Sequence, residues 1–282
     1  MHIPEKLDKK ANEIRQDIIK MLVDAGSGHS SGPLGMADVF TALYFSVLKK
    51  RPKSPWWEGR DRVILSNGHI CPVWYVALAH AGYFPKSELS TLRELNSRLQ
   101  GHPHYRGLPG VENAAGPLGQ GISMAAGIAY AGLMERKKYN VYCLMGDGEL
   151  NEGQCWEAFM FAGKYRLHNL TVIVDRNNIQ IDGNTEDVMP LEPLRERFES
   201  FGFHVIEVDG HNISHIVDAC SMAKAIVEKP TVLLAHTIPG KGVDFMEYNY
   251  EWHGKPPNTK EAKKALQDLR TLGGRVNVGD CD

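Results

Sequence analysis

Short apolar runs alternate with longer segments of helical spacing along this 282-residue sequence, and this alternation is what most constrains its fold. The apolar runs are RVILS (62–66), VYCLM (141–145), LTVIVD (170–175), HVIEVD (204–209) and TVLLAH (231–236). Helices are predicted over 12–25, 36–48, 122–134, 152–165 and 213–228, with another ending near 81. Strands without polar alternation are typical of a parallel sheet covered on both faces. We therefore expect an α/β fold: a doubly wound, mostly parallel open sheet with helices on both faces.

Two Gly-rich segments, 26–35 and 101–121, are predicted to be loops. Long loops inside compact domains usually carry function. We expect a single domain over residues 1–270, followed by a loosely held tail over 271–282. No repeats or low-complexity tracts interrupt the chain.

Composition excludes several classes of protein. The formal charge of −2 offers no broad basic surface for nucleic acid. The five cysteines form no C-x-x-C pair, which favours reduced thiols over a disulfide framework. The N-terminus has no apolar signal region, and no apolar stretch approaches the ~18 residues of a membrane span. We expect a cytoplasmic protein without nucleic-acid or membrane partners.

Polar residues follow two of the predicted strands at their carboxyl ends. Asp147 follows the strand 141–145 within Gly-Asp-Gly, and Asn177 follows the strand 170–175. Together with the backbone carbonyl near Ile179, they offer the oxygen ligands that suit Mg²⁺ or Ca²⁺. Gly148 lacks a Cβ, so its amide and the following helix N-terminus can approach a diphosphate closely. Each motif alone is more often a turn or a loop, but a strand precedes each, and about thirty residues separate them.

The wider motifs resemble transketolase, a family of thiamine-diphosphate enzymes. They occur in the family's order over roughly residues 10–260. They are SGHSSGPLGMAD (27–38), LSNGH (65–69), GHP (101–103), GPLGQG (116–121), GDGELNEGQCWEA (146–158) and DRNNIQIDG (175–183). The resemblance implies the thiamine-diphosphate-binding fold, bound thiamine diphosphate with Mg²⁺ (or Ca²⁺), and transfer of a two-carbon ketol unit between sugars.

Four histidines match the family's pattern. The resemblance implies that His69 and His253 face the diphosphate side of the cofactor, and that His29 and His253 approach the sugar hydroxyls and carbonyl oxygen. It also implies that His102 holds the C1 hydroxyl of the donor. Ketose cleavage needs a base and re-addition needs an acid, and imidazole can serve as both near neutral pH. We therefore expect His29, His102 and His253 to be catalytic and His69 to bind the cofactor. The sequence GHPH departs from the family at position 104, which often carries an acid.

Further cofactor contacts follow from the resemblance. Gly116 and Leu118 would approach the aminopyrimidine, although a loop that merely packs on the sheet is the alternative. Glu152 and Glu157 match family glutamates that link two cofactor sites across a subunit interface; the alternative is that they are solvated helix carboxylates.

The resemblance also implies a partner chain. Complete transketolases match this sequence only over their first portion, and a second domain supplies a glutamate to the cofactor's pyrimidine nitrogen. We expect the chain to be the N-terminal subunit of a two-chain transketolase in an α2β2 assembly, with the activating glutamate on a C-terminal subunit. A piece of a longer chain is the alternative. Xylulose 5-phosphate is the default donor and an aldose phosphate the acceptor.

Other functions remain open. A split transketolase-like enzyme could act on another sugar, and a non-catalytic subunit could retain only cofactor binding. Deoxyxylulose-phosphate synthase fits the motifs less well. Residues 28–32 match the G-x-S-x-G of serine hydrolases by letters, but helical spacing precedes them where that motif needs a strand. A nucleotide dehydrogenase is disfavoured because no G-x-G-x-x-G follows a strand.

Overall fold

The computed structural model describes residues 3–273. The helices are α1 (Ile3–Ala25), α2 (Ser31–Gly35), α3 (Ala37–Ala42), α4 (Cys71–His80), α5 (Gln120–Met134), α6 (Gly153–Lys164), α7 (Thr185–Val188), α8 (Leu194–Ser200), α9 (Ile213–Ala225) and α10 (Thr259–Gly273). The strands are β1 (Arg62–Leu65), β2 (Val141–Gly146), β3 (Leu170–Arg176), β4 (Ile179–Gln180), β5 (Gly183–Asn184), β6 (His204–Asp209) and β7 (Thr231–His236). A π-helical turn (Leu43–Val47) extends α3, and 3₁₀ turns lie at Gly68–Ile70, Lys86–Thr91, Gly148–Asn151 and Tyr250–Trp252.

Five strands form one sheet in the order β1-β2-β3-β7-β6, and every neighbouring pair is parallel. The short strands β4 and β5 form a separate antiparallel hairpin. The parallel α/β sheet expected from the apolar runs is therefore confirmed.

Each face of the sheet contributes to its own hydrophobic core, since successive side chains of a strand point to opposite faces. In β2, Tyr142 and Leu144 join the core that also contains residues of α1, α3, α4, α9 and α10. Val141, Cys143 and Met145 join the second core, with residues of α5, α6 and α8. This two-sided burial explains why the strands show no polar alternation.

The strand register brings chemically important residues to one edge of the sheet. Gly146 at the end of β2 lies opposite Asp175 in β3, and Asp175 lies opposite Ala235 in β7. The segments that follow β2, β3 and β7 therefore leave the sheet side by side.

Several predicted boundaries were wrong. The predicted loop 26–35 contains the helical turn α2, because the small residue Gly32 allows this turn to pack against Ile70, whose Cγ2 lies 2.7 Å from an ideal Cβ at position 32. The helix predicted over 36–48 changes to π geometry after Ala42, and that predicted over 213–228 ends at Ala225. The predicted tail 271–282 lies mostly outside the described residues, and α10 extends to Gly273.

The described residues bear on the predictions about membrane spans and cysteines. Within residues 3–273, no helix is both long enough and apolar enough to cross a membrane. The four cysteines in this part of the chain (71, 143, 155 and 220) are buried and free. The fifth, at position 281, lies outside it.

Candidate active site

A cleft of about 190 Å³ opens at the carboxyl edge of the sheet, beyond β2 and β3. This is where ligands bind in open parallel sheets. Its walls include the predicted site residues His29, His69, Leu118, Asp147, Gly148, Asn177, Ile179 and His253. The fold thus brings together eight of the twelve residues selected from the sequence.

The two strand-end loops meet at Asp147. Its backbone N–H donates to the Asp175 carbonyl (3.1 Å), which continues the β2–β3 ladder beyond the strand end. Its carboxylate accepts from the backbone N–H groups of Gly148 (2.7 Å) and Asn178 (2.8 Å). Asn178 has a φ of +64°, a left-handed conformation that asparagine tolerates better than most residues. Burial raises the pKa of Asp147 to about 6, and Arg176, which donates to the same carboxylate at 3.0 Å, opposes this shift.

Asn177 is held in a fixed orientation beside this carboxylate. Its Nδ2 donates to Asp175 (2.8 Å), and its Oδ1 accepts from the Ile179 N–H (3.0 Å). The hydroxyl of Thr237, which follows β7, also donates to Asp175. Burial raises the pKa of Asp175 to about 7. Asn177 and Asp147 thus line the same cleft.

The cleft retains hydrogen-bonding capacity for a polar ligand. The Nδ1 of His29 and the Nε2 of Gln180 are buried without a hydrogen-bond partner. Such atoms cost free energy unless a ligand or water satisfies them. An ideal Cβ on Gly148 would lie 3.3 Å from the Cβ of Gln180, a tight contact, so glycine keeps this corner more open than a larger residue would.

Three imidazoles in the walls of the cleft form a triangle. The ring centroids are separated by 4.9 Å for His29–His69, 5.2 Å for His69–His253 and 5.5 Å for His29–His253. We call these three residues the histidine triangle. The hydroxyl of Ser30 joins the segment that carries His29 to the segment that carries His253, because it lies 3.2 Å from the Trp252 carbonyl and 2.7 Å from the Lys255 carbonyl.

The environment keeps these rings neutral. Burial, reinforced by the neighbouring imidazoles and Arg93, lowers the pKa of His29 to about 4. Burial also lowers the pKa of His253, and burial with the other histidines lowers that of His69 well below its usual value. A neutral imidazole carries one donor and one acceptor nitrogen, so the triangle can both give and take hydrogen bonds.

Four predicted residues lie outside the walls of this cleft. His102 lines an adjoining open depression with Arg93 and Gly101, and burial lowers its pKa. An ideal Cβ on Gly116 would lie 3.9 Å from the His102 ring, which places Gly116 beside that depression. Glu152 and Glu157 are exposed at the start and middle of α6. Their predicted roles stay predictions.

Sequence reasoning missed three polar residues of the site. Glu149, directly after Gly-Asp-Gly, is buried and accepts from Ser66, from Gly119 N (2.6 Å) and from Gly146 N (3.3 Å). Arg176 joins Asp147 to Glu186 (2.8 Å) and Glu192 (2.9 Å). Gln180 carries the unsatisfied amide described above. The available signals were a charged residue at the end of a buried strand for Arg176 and a carboxylate directly after Gly-Asp-Gly for Glu149.

This fold and site define a thiamine-diphosphate-binding domain, and comparison with known proteins gives the family. The chain belongs to the transketolase family. Its residues 7–272 match the thiamine diphosphate binding domain of transketolase. Transketolases are thiamine-diphosphate-dependent transferases, so the class of enzyme predicted from the motifs is confirmed.

Similar proteins fall into two groups by length. The chain is 42% identical to the 6-deoxy-6-sulfo-D-fructose transketolase subunit SqwG of Clostridium sp. (strain MSTE9), covering 95% of this chain and 97% of that protein. It is 37% identical to an apulose-4-phosphate transketolase subunit of Phocaeicola vulgatus, covering 94% of each. The solved transketolase of Campylobacter jejuni superposes with a TM-score of 0.89 at 36% identity, covering 96% of this chain. The chain spans only 43% of that longer protein.

Proposed function

We propose that this chain is the cofactor-binding subunit of a two-chain transketolase that moves a two-carbon ketol unit from a ketose to an aldose. The observation that carries the proposal is the placement of a triangle of neutral histidines and an Asp147–Asn177 pair in the walls of one cleft. The oxygen ligands suit a cation that carries the diphosphate, and the imidazoles suit the proton transfers at a sugar.

The residues fit a divalent cation with few protein ligands. A carboxylate offers about four lone-pair sites, and that of Asp147 uses three of them, for Gly148, Asn178 and Arg176. Asn177 Oδ1 uses one of two, for Ile179. The described residues contain no cluster of three or more His, Cys, Asp or Glu that could hold a metal. Mg²⁺ or Ca²⁺ would be held by Asp147, Asn177 and the Ile179 carbonyl, with phosphate oxygens and water as its remaining ligands.

The protein's own groups bind and orient the reactants and move the protons. When bound, thiamine diphosphate supplies the carbon nucleophile for the donor carbonyl and stabilises the two-carbon carbanion. His29 and His253 would hydrogen-bond the sugar, and one of these neutral rings would accept the C3 hydroxyl proton as the C2–C3 bond breaks. The same ring would return a proton to the acceptor oxygen when the new bond forms. His102 would hold the C1 hydroxyl, and His69 would face the cofactor.

A partner chain is proposed from the relatives of matching length. Two of them are named as transketolase subunits and align with this chain over at least 94% of their own length. By analogy, a second polypeptide would supply the pyrimidine-binding domain and its activating glutamate, in an α2β2 assembly. Glu152, directly before α6, and Glu157, on the exposed face of α6, would then lie at the interface between cofactor-binding subunits.

Two kinds of donor sugar are candidates for this enzyme. Xylulose 5-phosphate is the default donor of the family, with an aldose phosphate as the acceptor. The names of the subunit-length relatives favour a second candidate, in which the donor is a modified ketose such as 6-deoxy-6-sulfofructose or apulose 4-phosphate. The same cleft chemistry serves both, because the two-carbon unit to be transferred is common to them.

The experiment combines the chain with its candidate partner, thiamine diphosphate and Mg²⁺, and measures ketol transfer from each donor by mass spectrometry. We expect transfer only in the complete mixture, with the largest kcat/KM identifying the natural donor. Each chain alone and the mixture without cofactor are the controls.

The outcomes separate the parts of the proposal. Turnover by this chain alone contradicts the two-chain assignment. Tight cofactor binding without transfer from any donor favours a non-catalytic cofactor-binding subunit. Absence of cofactor binding in the complete mixture contradicts the assigned site.

A further inference from the structure

A buried hydrogen-bond relay leads from α1 to the loop that carries His253. Arg15 in α1 donates through Nε to the Leu34 carbonyl (3.0 Å) and through Nη1 to Asp38 in α3 (3.1 Å). Asp38 in turn lies 2.7 Å from Nδ1 of His211. The opposite ring nitrogen, Nε2, accepts from the backbone N–H of Ile238 at 2.7 Å.

The contact with Ile238 fixes the proton positions on His211. A backbone N–H only donates, so Nε2 must be unprotonated and Nδ1 must carry the hydrogen that points to Asp38. Arg15 and Asp38 are 7% and 5% exposed, and this ion pair therefore provides a rigid buried anchor for the ring. Arg15 also lowers the pKa of Asp38, which keeps it a charged acceptor.

The backbone around His211 is arranged for this contact. Gly210 N donates to the His236 carbonyl (2.8 Å), and an ideal Cβ at Gly210 would lie 2.5 Å from Cγ2 of Thr237. His211 N donates to Asp209 (2.9 Å). Glycine at position 210 thus allows the end of β6 to approach the segment after β7 closely enough for the ring to reach Ile238.

Ile238 opens the segment that ends at His253. Gly240 N donates to the Ser31 carbonyl (2.9 Å), and Tyr248 N donates to the Pro239 carbonyl (3.2 Å). His253 N then donates to the Tyr250 carbonyl (2.8 Å). We call residues 237–253 the histidine loop. Hydrogen bonds to His211 and to α2 hold its first residues. The hydrogen-bonded turns that follow connect these residues to His253.

We infer that His211 is a positioning residue: as the Nδ1–H tautomer anchored on Asp38, it fixes the histidine loop and so places His253 in the histidine triangle. Its effect on catalysis rests on the proposed function, whereas its effect on the loop does not. The active-site cleft contains no atom of His211, so the residue acts through Ile238 and not on the substrate.

Two amide substitutions separate the two hydrogen bonds of the ring. H211Q places an amide oxygen near the position of Nε2 and keeps an acceptor for Ile238 N–H. H211N places an amide nitrogen near the position of Nδ1 and keeps the donor to Asp38 but loses the loop contact. H236Q and H236N are the matched controls, because His236 lies at the end of a strand and pairs with a carboxylate (Glu207, 3.1 Å) but is half exposed.

Hydrogen–deuterium exchange of the full chain gives the first readout. We expect H211N to increase exchange in peptides covering 237–253 and to leave β2 and β3 protected, whereas H211Q and both His236 variants behave like wild type. If H211Q loosens the loop as much as H211N does, or if neither does, the inference is wrong. This measurement needs no enzymatic activity, so it stands even if no ketol transfer is found.

The assembled enzyme gives the second readout. We expect H211N to lower kcat on the order of 10-fold, because small misplacement of a reacting group is costly. H211Q should remain within about threefold of wild type. An activity order in which H211N exceeds H211Q would show that the Asp38 contact, and not the loop contact, matters.

A measurement on the wild type covers the case in which H211N does not fold. Long-range ¹H–¹⁵N NMR of ¹⁵N-histidine-labelled chain distinguishes a protonated ring nitrogen from an unprotonated one. We expect His211, assigned by the loss of its signal in H211Q, to carry its proton on Nδ1 alone at pH 7.5. A proton on Nε2 would overturn the inference.

Discussion

Acidification from pH 7.5 to 5.5 should destabilise the fold through the histidine triangle. The usual imidazole pKa is 6.5, and burial lowers that of His29 to about 4 in the folded chain. Between these values the unfolded chain binds more protons than the folded chain. The free energy of unfolding therefore falls as pH drops through 6.5 and stops falling below about 4.

The size of this effect can be worked out for His29 alone. At pH 5.5 a ring with a pKa of 6.5 is about 90% protonated, and one with a pKa of about 4 is almost unprotonated. The difference in proton binding between the unfolded and folded chains then lowers the free energy of unfolding by roughly 1.4 kcal/mol at this pH. Part of the ring remains in contact with solvent, which screens the effect, so we expect about 1 kcal/mol. His69, His102 and His253 add to the loss in the same direction, since their pKa values are also lowered.

Urea unfolding of the cofactor-free chain, followed by circular dichroism, measures the prediction. Asparagine does not titrate, so H29N should lose about 1 kcal/mol less stability than wild type between pH 7.5 and 5.5. H215N, at an exposed position in α9, is the control and should follow the wild-type loss. An H29N variant that loses as much stability as wild type would refute the assignment of a buried, neutral His29.

Three further predictions concern packing, the cation and catalysis. G163A should destabilise the chain by about 1–3 kcal/mol in denaturant titrations, because its Cβ would lie 1.9 Å from the Phe201 carbonyl oxygen. The control G127A, whose Cβ would have nothing within 4 Å, should be neutral or slightly stabilising. Equal losses of stability in the two variants would contradict the packing argument. D147A should abolish Mg²⁺-dependent binding of thiamine diphosphate in calorimetry, and unchanged affinity would reject the proposed ligand. H102A should keep cofactor affinity while ketol transfer by the assembled enzyme falls on the order of 10²-fold; loss of both together would point to a cofactor-binding role instead.

The sheet could be predicted from the sequence because its physical signal is local. Apolar runs mark the strands of a covered parallel sheet, and all five occur in it, with the part-exposed β6 at one edge. The placement of Asp147 and Asn177 in the walls of one cleft also followed, because both come directly after neighbouring strands. The histidine triangle was selected through the family resemblance, since lone histidines far apart in sequence carry no local signal of proximity.

Other parts of the site depend on tertiary contacts that no local pattern encodes. The hairpin β4–β5 has strands of two residues, too short for any periodicity. The contacts of Arg176 with three carboxylates and the unsatisfied amide of Gln180 appear only when the loops are folded. His211 lies in none of the sequence motifs, and its contact with Ile238 joins segments that are distant in the sequence.

The walls of the cleft come from both ends of the domain, with His29 following the first helix and His253 preceding the last. A ligand that touches both can bind only after nearly the whole chain has folded. A cofactor bound in this cleft would therefore stabilise the folded chain, by an amount that rises with the logarithm of its concentration above Kd. The supply of cofactor would then govern how long the subunit survives proteolysis, in addition to how fast it works.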